Sequence, residues 1–234
     1  MNQALLPASL DAIRAPIAAD LARVDEVIRK RLDSEVALIR TIAHYIVESG
    51  GKRLRPALVV LAANAFGAKG DDRYALAAVI EFIHTATLLH DDVVDESSMR
   101  RGRKTANAQF GNAASVLVGD FLYSRAFQMM VSVGSLRVME VVADATNIIA
   151  EGEVLQLLNV HDADTDEVRY LKVIRYKTAR LFQAATQVGA FPLVANSGDS
   201  VLLLSLAPGN YTAQINPQGT TLSGVAIIEV YELP

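Results

Sequence analysis

One stretch of this chain, HDDVVDESSMRRGRKT at 90–105, combines side chains suited to metal and phosphate chemistry. It contains three carboxylates and two adjacent arginines, which are Asp91, Asp92, Asp95, Arg100 and Arg101. In a helix, Asp91 and Asp95 are one turn apart and project from the same face. Two such carboxylates suit Mg²⁺, which takes oxygen ligands and usually shares them with substrate phosphates. Guanidinium groups bind phosphate oxygens through paired hydrogen bonds, so this stretch predicts a site for Mg²⁺ and a polyphosphate.

The alternative for these carboxylates is a solvated helix cap, in which acids and bases face water at the end of a helix. Two features favour the site: the acids end a strongly apolar segment, and a second basic cluster, GGKRLRP at 50–56, lies one helix upstream. The glycines let the backbone approach a ligand closely, and Lys52 and Arg55 can direct their charges to one side. Alone, this cluster would indicate a helix C-cap with basic residues favoured by the helix dipole.

Of the four histidines, His84 has the most informative position. It lies seven residues before Asp91, so a helix would place both on nearly the same face, two turns apart. Two interpretations remain open for His84: a core histidine with satisfied hydrogen bonds, or a member of the same site. His90 is rotated off that face, and we expect it to support the site or the fold. His44 and His161 have no neighbouring residues that indicate a role.

The composition limits the classes to which this protein can belong. Of its 234 residues, 51% are hydrophobic and 21% charged, which allows a sizeable core and argues against extensive disorder. A net charge of −4 without an obviously basic face argues against nucleic-acid binding. The absence of cysteine excludes disulfides, thiolate metal sites and cysteine nucleophiles. The sequence has no signal-peptide pattern and no apolar run long enough for a transmembrane segment, so we expect a soluble, cytoplasmic protein.

Hydrophobic residues at helical spacing predict that the chain is all-α up to about residue 189, with no strand. The predicted helices lie at about 9–31, 35–49, 57–66, 73–95, 112–133, 136–158 and 165–188. The helix at 73–95 is apolar on nearly every face, so we expect it to be central. A polar loop should follow it through Thr105.

The composition changes after about Gly189. Lysine and arginine disappear from 191–234, whereas glycine, proline, asparagine, serine and threonine become frequent. VLLLSL, YTAQI and VAIIEVYEL are rich in β-forming residues and are separated by turn-like segments, which predicts a small antiparallel β meander. We therefore predict a helical domain at 1–188 and an unrelated β-rich C-terminal segment at 189–234.

The motifs together resemble those of a known family. FIHTATLLHDDVVDESSMRRGRKT with GGKRLRP is similar to the trans-type polyprenyl diphosphate synthases, in particular the octaprenyl-type long-chain group. GNAASVLVGDFLYSRAF, EGEVLQL and VIRYKTARLF extend the similarity in the same order, over about residues 5–187. The resemblance implies an all-α isoprenoid synthase-type helical bundle, present in part, with a central cavity. It also implies Mg²⁺ as cofactor, the joining of isopentenyl diphosphate to an allylic diphosphate, and a homodimer.

The resemblance further implies roles for individual residues. The Mg²⁺ ligands would be Asp91 and Asp95, with Asp92 beside them. The contacts to the allylic diphosphate would be Arg100, Lys177 and Thr178. The isopentenyl diphosphate site would comprise Lys52, Arg55, His84 and Arg101. Asp120 and Gln156 match family positions that are less directly tied to chemistry, and a structural role is an equal alternative for both.

Catalysis in this family would need no nucleophilic side chain. Breaking an allylic C–O bond leaves a carbocation and a diphosphate, and the residues that would stabilise that leaving group are Asp91, Asp92, Asp95, Arg100 and Lys177, the aspartates through Mg²⁺. Product length would depend on Ala86, five residues before Asp91, where a small side chain would leave the cavity open. With Thr87 it indicates a long product of the kind used for quinone side chains; the alternative is a small residue at a helix crossing.

The sequence departs from the family after KTARLF. Family members continue with more helices and a second aspartate-rich motif, whereas here the acids beyond Lys177 are Asp199, Glu229 and Glu232, which form no helical pair. We therefore expect a synthase truncated before that motif, with impaired turnover. One alternative is a non-catalytic partner subunit that pairs with a full-length synthase. A terpene cyclase-like protein would share the DDxxD pattern but would give no reason for GGKRLRP.

Overall fold

The computed structural model describes residues 10–48 and 50–190. The helices are α1 (Leu10–Arg14), α2 (Ala18–Arg31), α3 (Ala37–Glu48), α4 (Leu54–Ala65), α5 (Asp72–Val94), α6 (Ala106–Phe110), α7 (Asn112–Val133), α8 (Leu136–Asn159), α9 (Glu167–Ile174) and α10 (Arg180–Gly189). A 3₁₀ turn at Ala15–Ile17 separates α1 from α2, and a π-helix at Arg175–Ala179 joins α9 to α10. The helical prediction is therefore confirmed for most of the described chain. The β meander predicted within 189–234 falls at 191–234, outside the described residues, and the domain boundary near 189 stays a prediction.

Two of the predicted helices are divided. The helix predicted at 9–31 is interrupted by the 3₁₀ turn, which contains Pro16; proline has no N–H to donate, and its ring clashes with the preceding turn of an α-helix. The helix predicted at 165–188 contains the π-helix, in which the backbone accommodates an extra residue. The spacing of the apolar residues continues through both divisions and so predicts neither.

A short hairpin replaces part of the polar loop predicted after α5, and the prediction of no strand in this region is wrong. Strands β1 (Met99–Arg100) and β2 (Arg103–Lys104) are antiparallel, with Met99 opposite Lys104. The turn between them is formed by Arg101 and Gly102, whose φ angles of 53° and 78° are both left-handed. This is the geometry of a tight two-residue hairpin, which tolerates Gly best.

Helix α5 is the centre of the bundle, as its sequence predicts. It packs against α2, α4, α7 and α10, and Leu76, Ile80 and Ile83 are among its buried side chains. Each such side chain stabilises the fold by about 1.5–3 kcal/mol relative to an exposed one. Helix α10 approaches α4 so closely that a Cβ added at Gly189 would lie 2.4 Å from the Val59 carbonyl oxygen. The acidic end of α5 is therefore mounted on a tightly packed scaffold.

Within the two described ranges, no helix has both the length and the apolar character needed to cross a membrane.

Candidate functional site

The three aspartates at the end of α5 point to different partners. The Asp91 side chain is only 12% exposed, and its Oδ2 lies 3.3 Å from Lys177 Nζ on the π-helix. Asp92 is buried and turned towards the hairpin, whereas Asp95 is the exposed C-cap residue of α5. Adjacent positions on a helix differ by about 100° in direction, which separates Asp91 from Asp92.

Asp92 is engaged by Arg100 of strand β1. The Arg100 guanidinium donates to both carboxylate oxygens, with Nη2–Oδ1 at 2.8 Å, Nε–Oδ1 at 3.0 Å and Nε–Oδ2 at 3.2 Å. This hydrogen bonding raises the pKa of Arg100, although partial burial opposes it. Asn107 adds a hydrogen bond to the Asp92 carbonyl oxygen at 3.0 Å. Asp92 therefore holds the hairpin to α5 and is not directed at the same point as Asp91.

Lys177 bridges two carboxylates from different helices. Its Nζ donates to Glu153 Oε2 of α8 at 2.6 Å and lies 3.3 Å from Asp91 Oδ2. Burial raises the pKa of both Asp91 and Glu153, and the Lys177 charge only partly opposes this effect. Burial also lowers the pKa of Lys177, but the hydrogen bond to Glu153 and the charge of Asp91 outweigh it, so the net shift is upward. We refer to Asp91, Glu153 and Lys177 as the carboxylate–lysine cluster.

Sequence reasoning missed Glu153. The segment EGEVLQL is part of the family resemblance, but the resemblance assigns no role to its second glutamate. The spacing does not reveal one either, because its partner Lys177 lies 24 residues away on the π-helix. The available signal was a glutamate beside a glycine in an otherwise apolar helical stretch. Gln156, one turn later, lines a neighbouring cleft instead.

A cluster of arginines surrounds His84 on the adjacent side of α5. Burial, together with the positive charges of Arg55, Arg101, Arg100 and Arg53, lowers the pKa of the His84 imidazole to about 3. His84 is thus neutral at physiological pH and half-buried. The structure brings it together with three of the arginines predicted to bind diphosphates. Arg100 lies within electrostatic reach of both His84 and Asp91, so it connects the two halves of the site.

The side chains of GGKRLRP take different environments. Arg55 is half-buried, with its guanidinium carbon 4.3 Å from the centre of the Phe182 ring, and burial lowers its pKa. Its Nε has no hydrogen-bond partner within the described part of the chain. Lys52 is exposed, and Arg101 donates a hydrogen bond to the carbonyl oxygen of Gly50. The hairpin turn and the glycine-containing turn are therefore linked directly.

Arg53, which received no role from the sequence, fixes the conformation of that turn. It has a left-handed φ of 47°, and its Nη1 lies 2.5 Å from Glu81 Oε1 in the centre of α5. Both side chains are largely buried, at 15% and 10% exposure. A second carboxylate, Asp25 of α2, lies 3.5 Å from Arg53 Nε. Charge pairing at this depth compensates the cost of burying an arginine beside the predicted phosphate site.

The remaining predicted residues lie at the edges of the site or away from it. Thr178 and Lys177 border an open cleft of about 380 Å³ between α8 and α9. Ala86 is 1% exposed and packs in the hydrophobic core, and Thr87 donates to the His84 carbonyl oxygen at 2.8 Å. His90 Nε2 lies 3.3 Å from Asp120 Oδ1, an interaction that links α5 to α7. The other two histidines, His44 and His161, are exposed.

The carboxylates near the end of α5 could hold a divalent cation only together with other ligands. In residues 10–48 and 50–190 no group of three or more histidines, aspartates or glutamates is arranged to hold a metal ion by itself. The two carboxylates of the carboxylate–lysine cluster nevertheless offer oxygen ligands, and Glu153 Oε1 is buried with no hydrogen-bond partner among those residues. Mg²⁺ is commonly held by one or two carboxylates together with water and substrate phosphates. The site fits Mg²⁺ in that shared form.

Comparisons with known proteins agree with this geometry. The family model described as Polyprenyl synthetase matches residues 36–203. Octaprenyl diphosphate synthase of Escherichia coli (strain K12) is 62% identical over 179 residues, covering 76% of this chain and 55% of the relative. Heptaprenyl diphosphate synthase component 2 of Geobacillus stearothermophilus is 37% identical over 182 residues, covering 77% of this chain and 57% of the relative. The chain thus spans about half the length of the curated relatives it matches.

A solved structure gives the same result for the fold. The polyprenyl synthase of Caulobacter crescentus CB15, complexed with calcium and isoprenyl diphosphate, superposes with a TM-score of 0.77 at 49% identity. That match covers 80% of this chain and 57% of the other. The residues matched by the family model, 36–203, include the carboxylate–lysine cluster and the arginines around His84. By its sequence and by its fold, the chain belongs to the polyprenyl synthetase family.

Proposed function

We propose that this chain binds an allylic prenyl diphosphate, with Mg²⁺, beside isopentenyl diphosphate and takes part in the transfer of the prenyl group between them. The observation that carries the proposal is the position of Arg100, which hydrogen-bonds Asp92 directly beside Asp91 and lies near enough to His84 for its charge to help lower the His84 pKa. An acidic cluster and an arginine cluster are thereby adjacent at the end of one central helix. Two diphosphates, one neutralised by a cation and one by arginines, match this division of charge.

The acidic side would take the allylic diphosphate. Asp91 and Asp95 would hold Mg²⁺, with the remaining ligands supplied by diphosphate oxygens and water. Bound there, Mg²⁺ would supply positive charge that stabilises the departing diphosphate. Lys177 and Arg100 carry positive charge at the same end of α5, and Thr178 follows Lys177 on the π-helix.

The basic side would take isopentenyl diphosphate. Among the described residues Arg55 Nε has no hydrogen-bond partner, and its guanidinium carbon lies 4.3 Å from the centre of the Phe182 ring, a contact that favours one orientation before any ligand binds. Arg101 and Lys52 would add charge from the two linked turns. His84 is neutral and would contribute a hydrogen bond without changing the charge balance. Preorganised donors of this kind stabilise phosphate charge without reorganising during the reaction.

The chemistry needs no side-chain nucleophile. The allylic C–O bond breaks, the diphosphate leaves with the bonding electrons, and the double bond of isopentenyl diphosphate attacks the resulting carbocation. Loss of a proton from the new intermediate restores a double bond. The apolar side chains of the bundle would keep water from the carbocation.

We further propose a long-chain, octaprenyl-type product used for quinone side chains. Two observations support this: a relative at 62% identity is an octaprenyl diphosphate synthase, and Ala86 presents a small side chain five residues before Asp91. The neighbouring Thr87 is engaged with the backbone of its own helix. Neither residue adds bulk along α5 below the acidic end.

A second candidate function is that of a non-catalytic subunit that acts with another synthase chain. The same helical surfaces could also pair two copies of this chain as a homodimer. The name of the Geobacillus stearothermophilus relative describes one component of an enzyme, and this chain spans about half of that relative. Helices α8 and α9 also expose large apolar side chains, namely Val154, Leu157, Leu158, Val168 and Tyr170. Exposed apolar side chains concentrated on two neighbouring helices are a feature of protein interfaces.

One experiment separates the two candidates. The purified chain is incubated with Mg²⁺, radiolabelled isopentenyl diphosphate and farnesyl diphosphate, with and without a full-length homologue, and extractable radioactivity is counted. Product from the chain alone supports the prenyl transferase. No product from the chain alone, but a product whose amount or length differs from that made by the full-length homologue alone when the two are mixed, would support the subunit. Absence of Mg²⁺-dependent farnesyl diphosphate binding in every sample would contradict both.

A further inference from the structure

We infer that Glu153 is a positioning residue: with its neighbour Gly152 it holds the Lys177 ammonium group beside Asp91. The inference rests on the proposed function, because it assigns to Glu153 a purpose within the diphosphate site. It concerns a residue for which neither the sequence motifs nor the resemblance indicated a role.

The first support is the geometry of the Glu153 carboxylate. Its Oε2 accepts a hydrogen bond of 2.6 Å from Lys177 Nζ, which is shorter than the 3.3 Å that separates Nζ from Asp91 Oδ2. The exposed fractions are 29% for the Glu153 side chain, 23% for Lys177 and 12% for Asp91. Glu153 is thus the stronger of the two anchors of the lysine, and it reaches the cluster from a different helix than Asp91.

The second support is the close approach of the two backbones at Gly152. A Cβ at this position would lie 2.8 Å from the Lys177 backbone nitrogen and 2.8 Å from Tyr176 Cβ. Cβ atoms in proteins essentially never make contacts this short. A residue larger than glycine would therefore push α8 and the π-helix apart. Gly152 therefore determines how closely the Lys177 backbone approaches α8, while Glu153 fixes the direction of the Lys177 side chain.

The third support is the balance of charge. Lys177 faces two carboxylates, so the carboxylate–lysine cluster carries a net negative charge when Asp91 and Glu153 are ionised. Arg100 offsets that charge only in part, because its guanidinium is hydrogen-bonded to Asp92. Without Glu153, Lys177 would pair with Asp91 alone and neutralise it. The cluster would then lose the negative charge that attracts a cation and the shared geometry that leaves the ammonium available to a phosphate.

The test begins with a measurement that needs no ligand. The full chain is pulse-labelled with acetic anhydride, and acetylation of Lys177 is quantified by mass spectrometry relative to Lys172 on α9. We expect Lys177 to react several-fold faster in Glu153→Gln than in the wild type. Glu151→Gln is the matched control, since Glu151 lies two residues away, is exposed and accepts a hydrogen bond from Asn147 on its own helix.

A second measurement uses isothermal titration calorimetry to determine the affinity of the chain for inorganic pyrophosphate in the presence of Mg²⁺. Residues that orient metal ligands typically change metal affinity by about 10–100-fold, so we expect at least about tenfold weaker binding in Glu153→Gln. Glu153→Asp keeps the charge one methylene further back and should recover part of the loss. Gly152→Ala should weaken binding in the same direction, because its Cβ pushes the Lys177 backbone away.

The outcomes are distinguishable. Faster Lys177 labelling with weaker pyrophosphate binding in Glu153→Gln, both absent in Glu151→Gln, supports the inference. Unchanged labelling in a variant with wild-type circular dichroism would overturn it, as would unchanged pyrophosphate affinity. If the wild-type chain fails to bind pyrophosphate at all, the proposed function fails, while the labelling result still decides whether Glu153 holds Lys177.

Discussion

Asp92 and Arg100 form a bidentate ion pair that directs the middle aspartate of the acidic run away from the proposed cation site. The carboxylate is 5% exposed and accepts three hydrogen-bond contacts of 2.8–3.2 Å from one guanidinium. Its consequence is that a residue expected to assist the metal instead fixes the arginine that lies between the two proposed diphosphates.

The first prediction concerns this pair. Replacing Asp92 by Asn removes the charge that Arg100 hydrogen-bonds, so the free energy of unfolding should fall by about 1.5–3 kcal/mol, the usual value for a hydrogen bond to a charged group. Urea titration followed by circular dichroism measures the change. Asp144→Asn, at an exposed position of α8, is the control and should stay within about 0.5 kcal/mol of wild type. Equal stability of the two variants would show that the pair contributes little.

The second prediction concerns the buried pair of Arg53 and Glu81. Glu81→Gln leaves a guanidinium that is 15% exposed without its main partner, and breaking such a pair typically costs about 3–5 kcal/mol when burial is complete. Because some exposure remains and Asp25 lies nearby, we expect about 2–4 kcal/mol. Glu26→Gln disrupts an exposed pair with Arg23 and should change stability by less than about 1 kcal/mol. A loss no larger than that of the Glu26 control would contradict the assignment.

The third prediction is a pH dependence. The folded pKa of His84 is lowered to about 3 from 6.5, so below pH 6.5 the unfolded chain binds a proton that the folded chain does not. The contribution of His84 to stability is therefore fully present above pH 6.5 and falls as the pH decreases towards 3, with a slope of at most about 1.4 kcal/mol per pH unit. Urea titrations of wild type and His84→Gln, carried out from about pH 4 to about pH 8, compare their free energies of unfolding and isolate this contribution. Parallel stability curves would disprove the buried neutral histidine.

The fourth prediction addresses the metal. Asp91→Asn removes one charge from the carboxylate–lysine cluster and leaves Lys177 paired with Glu153 alone. Affinity for pyrophosphate in the presence of Mg²⁺ should fall by at least about tenfold, whereas Asp144→Asn should bind like wild type. Calorimetric titration with and without EDTA measures both. Binding that is unchanged in Asp91→Asn would mean that this carboxylate is only part of a helix end.

The fifth prediction tests the scaffold. Gly189→Ala gains helix propensity of about 1 kcal/mol, yet its Cβ would meet the Val59 carbonyl oxygen at 2.4 Å. Overpacking against backbone typically costs about 1–3 kcal/mol, so the net change should be a loss of stability. Gly70→Ala is the control, since its Cβ would have no neighbour closer than 4.0 Å. A thermal melt in which both variants match wild type would show that α10 can move away from α4.

The parts of this molecule that depend on local pattern could be predicted from the sequence. The apolar faces of α5 identified it as central, and helical spacing placed His84, Asp91 and Asp95 on one face of it. These features follow from helical periodicity and from side-chain chemistry at fixed spacing. The roles expected for Arg55, Arg101 and Lys177 came instead from the resemblance to the polyprenyl synthases, and their contacts with one another were not predicted.

The parts that depend on contacts between distant segments could not be predicted. Glu153 and Glu81 meet their partners 24 and 28 residues away in the chain, and nothing in the spacing of either glutamate indicates that contact. The direction of Asp92 depends on a hairpin with two residues in each strand, too short to show an alternating pattern. Pro16 was the only local signal for the break before α2.

The π-helix at Arg175–Ala179 has a consequence for how this site tolerates change. A π-helix holds one residue more than the α-helical path needs, so loss of a single residue anywhere in this segment could be absorbed as a regular α-helix. The flanking helices α9 and α10 would keep their relative orientation, but residues within the segment would shift by one position, which is about 100° around the helix axis. Lys177 would leave its carboxylates although every side chain of the cluster remained. The position of Lys177 thus depends on the number of residues in the π-helix, so we expect a one-residue deletion beside it to displace the lysine more than most substitutions there would.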